Sequence, residues 1–275
     1  MNRRAQPWLG TLVDITIFDA LDAAIVRDCF DQAFQQIAEV HRLMSFHDML
    51  SDVSAINRAA VGAPVTVDAR TVAVIALAIQ LTQISGSIFN IACASCLLEW
   101  QLLPLQQPEV PAYLAGDCGL VITADGRIQK NRPIVIDLGG IAKGYAVDQA
   151  ILRLIDCGVS SACVNAGGDL RVIGSHSIPV GIRDPENVTG IARQIDISDA
   201  ALATSAPYFS ARQHNGKVMS ALVDGRTGEP IIAQRSVSVI APNCMIADAL
   251  TKIVAATANS DHPLLAQFAA TAFIL

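Results

Sequence analysis

The stretch IVIDLGGIAKGYAVDQAILRL, Ile134 to Leu154, runs from an apolar segment into an acid, two glycines and a lysine, then into helical periodicity. Ile134 to Ile136 read as a buried strand, and Asp137 ends it, so its carboxylate emerges at a sheet edge where ligands commonly bind. Gly139 and Gly140 leave the backbone open to close approach. A helix from Ile141 to Ile155 then presents its positive N-terminal end, with Lys143 adding a full charge in the first turn. That combination suits phosphate oxygens. A plain tight turn with an exposed lysine accounts for the same residues, so the decision falls to other segments. Two nucleotide fingerprints are excluded: GGIAKG lacks the G-x-G-x-x-G spacing, and no G-x-x-x-x-G-K-[ST] occurs.

A second turn of the same kind lies in CVNAGGDLRVIG, where a strand ends in Asn165 and passes through Gly167 and Gly168 to Asp169. Two such turns suggest paired walls of a cleft. In ALATSAPYFS, Thr204 and Ser205 offer hydroxyls to a ligand, or simply satisfy local backbone. In MIADALTKIVAA, Asp248 is followed three and four residues on by Thr251 and Lys252, so the three side chains share one helix face. An acid one turn from a hydroxyl suits a hard cation such as magnesium; an acid one turn from a lysine is also an ordinary ion pair.

The bulk composition narrows the class of protein. With 275 residues and 52% hydrophobic content there is ample material for a core. A net charge of −6 without a dense basic run gives no footprint for nucleic acid or acidic membrane. The longest apolar run, Val72 to Ile79, is far shorter than the roughly 20 residues that cross a bilayer. Asp14 and Thr16 interrupt what would have to be the apolar core of a leader near the N-terminus. Seven cysteines, an odd set in mostly apolar surroundings, fit reduced thiols, and the expected compartment is the cytoplasm. Cys93 and Cys96 form a C-x-x-C with no second pair at zinc spacing, which reads as two small buried residues.

LGTLVDITIF alternates as a half-buried strand, and apolar residues from Ala23 onward recur at helical spacing. Further helices are expected over Ala69 to Ile84, near Cys96 to Leu102, and from Asn243 to Ala258. Beyond the proline-rich LPLQQPEVPAYLAGDCG the pattern changes to short strands, with ADGR as a hairpin turn. Helical and strand-rich parts segregate along the chain, so the expected fold is α+β, one domain over 1–275 with a possible internal boundary near 104–118.

Taken in order, MSFHDMLSDVSAIN, IDLGGIAKGYAVD, NAGGDLRVIG, GIRDP, LATSAPY, VDGRTGEP and SVSVIAPNCMIADALTK make the chain resemble the FAD:protein FMN transferase family, the ApbE-like proteins, from Leu9 to about Ala256. The resemblance implies an enzyme that splits FAD at its pyrophosphate and attaches FMN through a phosphoester to a threonine or serine of a target flavoprotein, releasing AMP and requiring magnesium. It further implies catalytic roles for Asp248 and Lys143, and a metal site from Asp248, the Gly140 carbonyl and Thr251. Flavin-nucleotide contacts are expected from Ser45, His47, Gly139, Gly140, Lys143, Asn165, Gly167, Gly168, Thr204 and Ser205. The alternative is a flavin-binding or FAD-hydrolysing relative without transferase activity.

The sequence departs from the family pattern at particular positions. Ala221 stands where relatives open the VDGRTG-like segment with a histidine, and His214 is either a substitute or a surface residue. Lys252 stands where many relatives carry a threonine that helps to bind metal, which predicts weaker metal affinity, unless Thr251 supplies the oxygen. His47 occupies the position of an aromatic that packs on flavin, and Asn90 replaces an aspartate.

Overall fold

Leu9 and Gly10 both take positive φ, 56° and 73°, the geometry that a two-residue hairpin turn demands. The chain therefore opens with a hairpin of β1 (Asn2–Trp8) and β2 (Thr11–Ile17), where the sequence had suggested a single strand. The computed structural model describes residues 1–106, 109–187 and 189–275. Next come α1 (Ala23–Met44), α2 (Ala69–Ile84) and α3 (Ala142–Asp156), then β3 (Ala162–Ala166), β4 (Asp169–Ile173), β5 (Ala201–Ser205) and β6 (Val237–Ala241). Helix α4 (Cys244–Thr257) and β7 (Thr271–Ile274) complete the main frame. The seven strands form one antiparallel sheet in the order β1-β2-β3-β4-β5-β6-β7.

Alternation along the strands sorts the two faces. On one face, Val13, Ile15, Ile17 and Val164 pack against Phe30, Phe34 and Ile37 of α1 and Ile151 and Leu154 of α3. On the other, Leu170, Val172 and Leu202 meet Ile182 and Ile197 from a hairpin of strands Ile178–Arg183 and Ile191–Ile197. The intervening positions of β4, Asp169 and Arg171, therefore point into the helical layer. Capping fixes where the helices begin: Asp22, Asp68 and Asn243 each accept a backbone N–H of the first turn of α1, α2 and α4.

Two expected elements differ. Ile134, Val135, Ile136 and Leu138 are buried and Asp137 partly so, but the segment belongs to no strand. Its ladder partner is replaced by one side chain: Asn57 Nδ2 donates to the Ile136 carbonyl at 3.0 Å, and Ile136 N–H donates to Asn57 Oδ1 at 2.9 Å. Asp137 N–H then donates to the Ile91 carbonyl. The helix expected near Cys96 to Leu102 instead covers Ala94–Glu99 after a 3₁₀ turn, Ile91–Cys93, which Asn90 caps through the Ala92 N–H.

The ADGR hairpin forms as expected, joining strands Leu120–Ile122 and Ile128–Lys130. The possible boundary at 104–118 includes positions 107 and 108, which lie outside the described residues. Leu98 before that stretch and Cys118 and Leu120 at and after it belong to one hydrophobic core. Among the described residues no helix is long and apolar enough to cross a membrane.

Candidate functional site

Helix α3 starts from the glycine turn. The Leu138 carbonyl accepts the N–H groups of Ile141 and Ala142, and Asp137 Oδ2 accepts the Gly139 N–H at 3.1 Å. One turn in, Gly144 faces α4 so closely that a Cβ would lie 2.3 Å from the Cys244 carbonyl oxygen. This close crossing lets the Gly144 N–H donate to Asp248 Oδ2 at 3.1 Å. Asp148 secures the same crossing by accepting the Cys244 and Met245 N–H groups while paired with Arg171 at 2.8 Å.

A cluster of two acids and two lysines results. Asp248, fully buried, takes the Lys252 ammonium on Oδ1, and its Oδ2 lies 3.7 Å from Lys143 Nζ. Lys143 itself closes on Asp169, a second buried carboxylate. Burial alone would push the Asp248 pKa up, but the two ammonium groups override it and hold the carboxyl below its ordinary value. Burial likewise works against the Lys143 charge, and Asp169 with Asp248 reverses that, raising its pKa. Asp169 ends above its ordinary value, from burial and the like charge of Asp248.

Beside this cluster lies a cavity of about 590 Å³, lined by Gly139, Gly140, Lys143, Gly167, Thr204, Ser205 and Lys252 among others. Both glycine turns contribute to the lining, one through Gly139 and Gly140 and the other through Gly167. Phe89, Leu97, Leu102 and Leu103 give the cavity an apolar side, so its residues fit a ligand that joins phosphate to an aromatic ring system. Asp137 also lines it, with burial raising its pKa against the opposing Gly139 N–H and His47. Among the described residues it is the one acid in the lining, and no Lys or Arg pairs with it.

Of the other expected residues, Gly168 is outside the lining. Asn165 is outside the lining, its Oδ1 accepting the Gly168 N–H at 2.9 Å, a turn-forming bond. Ser45 caps the end of α1 and accepts the His47 N–H, and His47 is exposed. Thr204 and Ser205 reach the cavity, yet their hydroxyls already pair with Ser238 at 2.8 Å and Thr251 at 2.7 Å. Ala221 and Asn90 line the cavity, whereas His214 sits in a hairpin away from it. Sequence reasoning missed two contributors. Gly10 lines the cavity from the β1–β2 turn, signalled by Leu-Gly between alternating segments, and Asp169 is the partner of Lys143.

The expected metal set of Gly140, Asp248 and Thr251 does not fit a divalent ion. Lys252 and the Gly144 N–H take the two Asp248 oxygens. Thr251, fully buried, donates its hydroxyl to the Asp248 carbonyl and accepts from the Ser205 hydroxyl. Among the described residues no group of three or more His, Cys, Asp or Glu could hold a metal.

The model of the ApbE family matches residues 9–274. The chain is 27% identical over 276 residues to a protein of Treponema pallidum (strain Nichols) named FAD:protein FMN transferase, covering 90% of this chain and 76% of that relative. A Vibrio cholerae protein of the same name is 26% identical over 259 residues, with 89% of this chain and 78% of the relative covered. The crystal structure of the ApbE protein from Thermotoga maritima superposes with a TM-score of 0.85 at 26% identity, covering 100% of this chain and 93% of that one.

Proposed function

The chain belongs to the ApbE family, and from that premise we propose that it is an FAD:protein FMN transferase acting on a threonine or serine hydroxyl of a protein acceptor. The observation that carries this reading is the juxtaposition of Lys143 and Lys252 with the two glycine turns at one cavity that also has an apolar side. The diphosphate lies against the lysines and the turns, and the flavin lies toward Phe89 and Leu97. The acceptor hydroxyl attacks the phosphorus on the FMN side, an O–P bond forms, and the P–O bond of the pyrophosphate breaks. AMP leaves with the bridging oxygen and its electron pair.

Phosphoryl transfer depends chiefly on positioning and on neutralising charge, and the ammonium groups of Lys143 and Lys252 supply both. Asp169 and Asp248 keep those groups protonated and fixed. The hydroxyl proton passes to Asp137, the carboxylate of the lining that no Lys or Arg pairs with, whose raised pKa suits a proton acceptor. The residues expected to hold magnesium are otherwise engaged, so the two ammonium groups carry the charge neutralisation of this step. Cytoplasmic residence belongs to the same proposal, supported by seven cysteines in mostly buried, apolar positions.

The test is incubation of the purified protein with FAD and a competent FMN-accepting domain, followed by intact mass of that domain. Transfer adds the mass of FMN and is lost in Lys143→Ala. Bound FAD with an unmodified acceptor would instead identify a flavin-binding protein.

A further inference from the structure

We infer that Lys252 is the resident cation of this site: its ammonium occupies the place a divalent ion would take on Asp248, so the chain holds the FAD diphosphate without a metal ion there. The inference rests on the proposed flavin-nucleotide site and concerns how its charge is supplied.

Lys252 lies one turn beyond Asp248 on α4, so the two side chains share a face. Its ammonium makes two bonds to the same residue, one to Oδ1 and one to the Asp248 carbonyl oxygen at 3.0 Å. The stem matters as much as the charge. Lys252 Cε would stand 3.5 Å from a Cβ placed on Gly140, so the stem runs beside Gly140 while its ammonium rests on Asp248. Those are the two groups that an ion would have to bridge.

The remaining oxygens are no more available. Asp248 Oδ2 accepts the Gly144 N–H at 3.1 Å and faces Lys143 at 3.7 Å. The Thr251 hydroxyl is fully buried and engaged with Ser205. Magnesium needs oxygens at about 2.0–2.1 Å in near-octahedral array. To enter, it would have to expel Lys252 from Asp248 and leave the ammonium beside a dication in a cavity that already holds Lys143. A lysine cannot shed that cost by delocalising its charge.

The lysine is also equipped to serve the ligand. An ammonium has three donors, and two are spent on Asp248, so one N–H of Lys252 remains for a phosphate oxygen at the cavity wall. Lys143, paired with Asp169, offers the same from α3.

The inference is tested on the full chain after chelator treatment by titrating Mn²⁺ alone and following free Mn²⁺ by electron paramagnetic resonance. The parent is expected to show no saturable site, whereas Lys252→Thr, which frees Asp248 and opens the gap to Gly140, gains one Mn²⁺ per chain. FAD binding by the parent, followed by flavin fluorescence, is expected to be unchanged by EDTA. In Lys252→Thr it should weaken at least about tenfold and recover with Mn²⁺. Lys252→Met removes the charge without opening a polar gap and should weaken FAD binding with no recovery. One Mn²⁺ bound by the parent, or none bound by Lys252→Thr with its fold intact by circular dichroism, overturns the inference. The Mn²⁺ titration involves neither FAD nor acceptor, so it stands apart from failure of the transferase reading.

Discussion

Lys143, from the first turn of α3, and Asp169, the first residue of β4, close an ion pair across the boundary between the helical layer and the sheet. Asp169 is 2% exposed at its side chain and Lys143 34%, so removing either leaves the other poorly compensated. Lys143→Met is expected to cost about 2–3 kcal/mol, the usual penalty for orphaning a buried charge discounted for the partial exposure of the lysine. The double variant Lys143→Met/Asp169→Asn should regain most of that stability without regaining FMN transfer. Urea unfolding beside the intact-mass assay separates the two effects. If the double variant is as unstable as the single one, the pair is not what sets the cost.

Gly144 carries the approach of α3 to α4. A Cβ there would meet the Cys244 carbonyl oxygen at 2.3 Å and the Met245 Cα at 2.8 Å, both backbone atoms that no rotamer change can move aside. Gly144→Ala should therefore destabilise by about 1–3 kcal/mol or more, although alanine is the better helix former. The same shift draws the Gly144 N–H away from Asp248, so FAD affinity should fall together with the thermal midpoint. Gly158→Ala, where nothing lies within 4 Å but φ is 84°, is the comparison for backbone strain without a clash.

Asn57 does for Ile136 what a neighbouring strand would do, taking both its N–H and its carbonyl from 79 residues away. Asn57→Leu leaves both buried groups without a partner and should cost about 2–6 kcal/mol, at roughly 1–3 per orphaned group. Asn57→Asp keeps the acceptor for the Ile136 N–H and loses the donor. It should lie between Leu and the parent in denaturant unfolding. Equal stability of all three would mean that another group, or water, satisfies Ile136.

That bond also marks the limit of what the sequence made legible. Helices α1, α2 and α4 could be read because their signals are local: apolar spacing, and the capping acids and amide at Asp22, Asp68 and Asn243. Ile134 to Ile136 announce a buried, extended segment, but no local feature says that a side chain will pair it. Strand β1 went unread because polar residues occupy both of its faces: Arg4 and Gln6 share the half-buried face with Trp8, opposite the exposed Arg3 and Ala5, and this masks the alternation that β2 displays. In the site, the glycine turns and Lys143 were legible as local chemistry. The partnership of Lys143 with Asp169 needed the sheet, whose alternation turns Asp169 toward α3. The positions of Ser45 and His47 followed from a motif, and the structure leaves His47 exposed.

Asp137 should separate stability from activity. Burial holds its carboxyl above the ordinary value of 3.8, against the opposing Gly139 N–H and His47. The native state therefore binds this proton more tightly than the unfolded chain does, and the group disfavours folding increasingly as pH rises above 3.8, reaching its full effect above its raised value. The handicap shrinks as pH falls and is absent below 3.8, where both states are protonated. Asn at this position keeps an oxygen for the Gly139 N–H and carries no charge, so Asp137→Asn should raise the thermal midpoint at pH 7 and leave it unchanged below pH 3.8. Transfer should move the opposite way. Loss of the proton acceptor is expected to slow FMN transfer about 100-fold or more and to flatten a rate profile that, in the parent, rises with pH through the raised Asp137 value and then levels. A variant that is more stable yet transfers at the parental rate would remove Asp137 from the chemistry and leave it only an unfavourable buried charge.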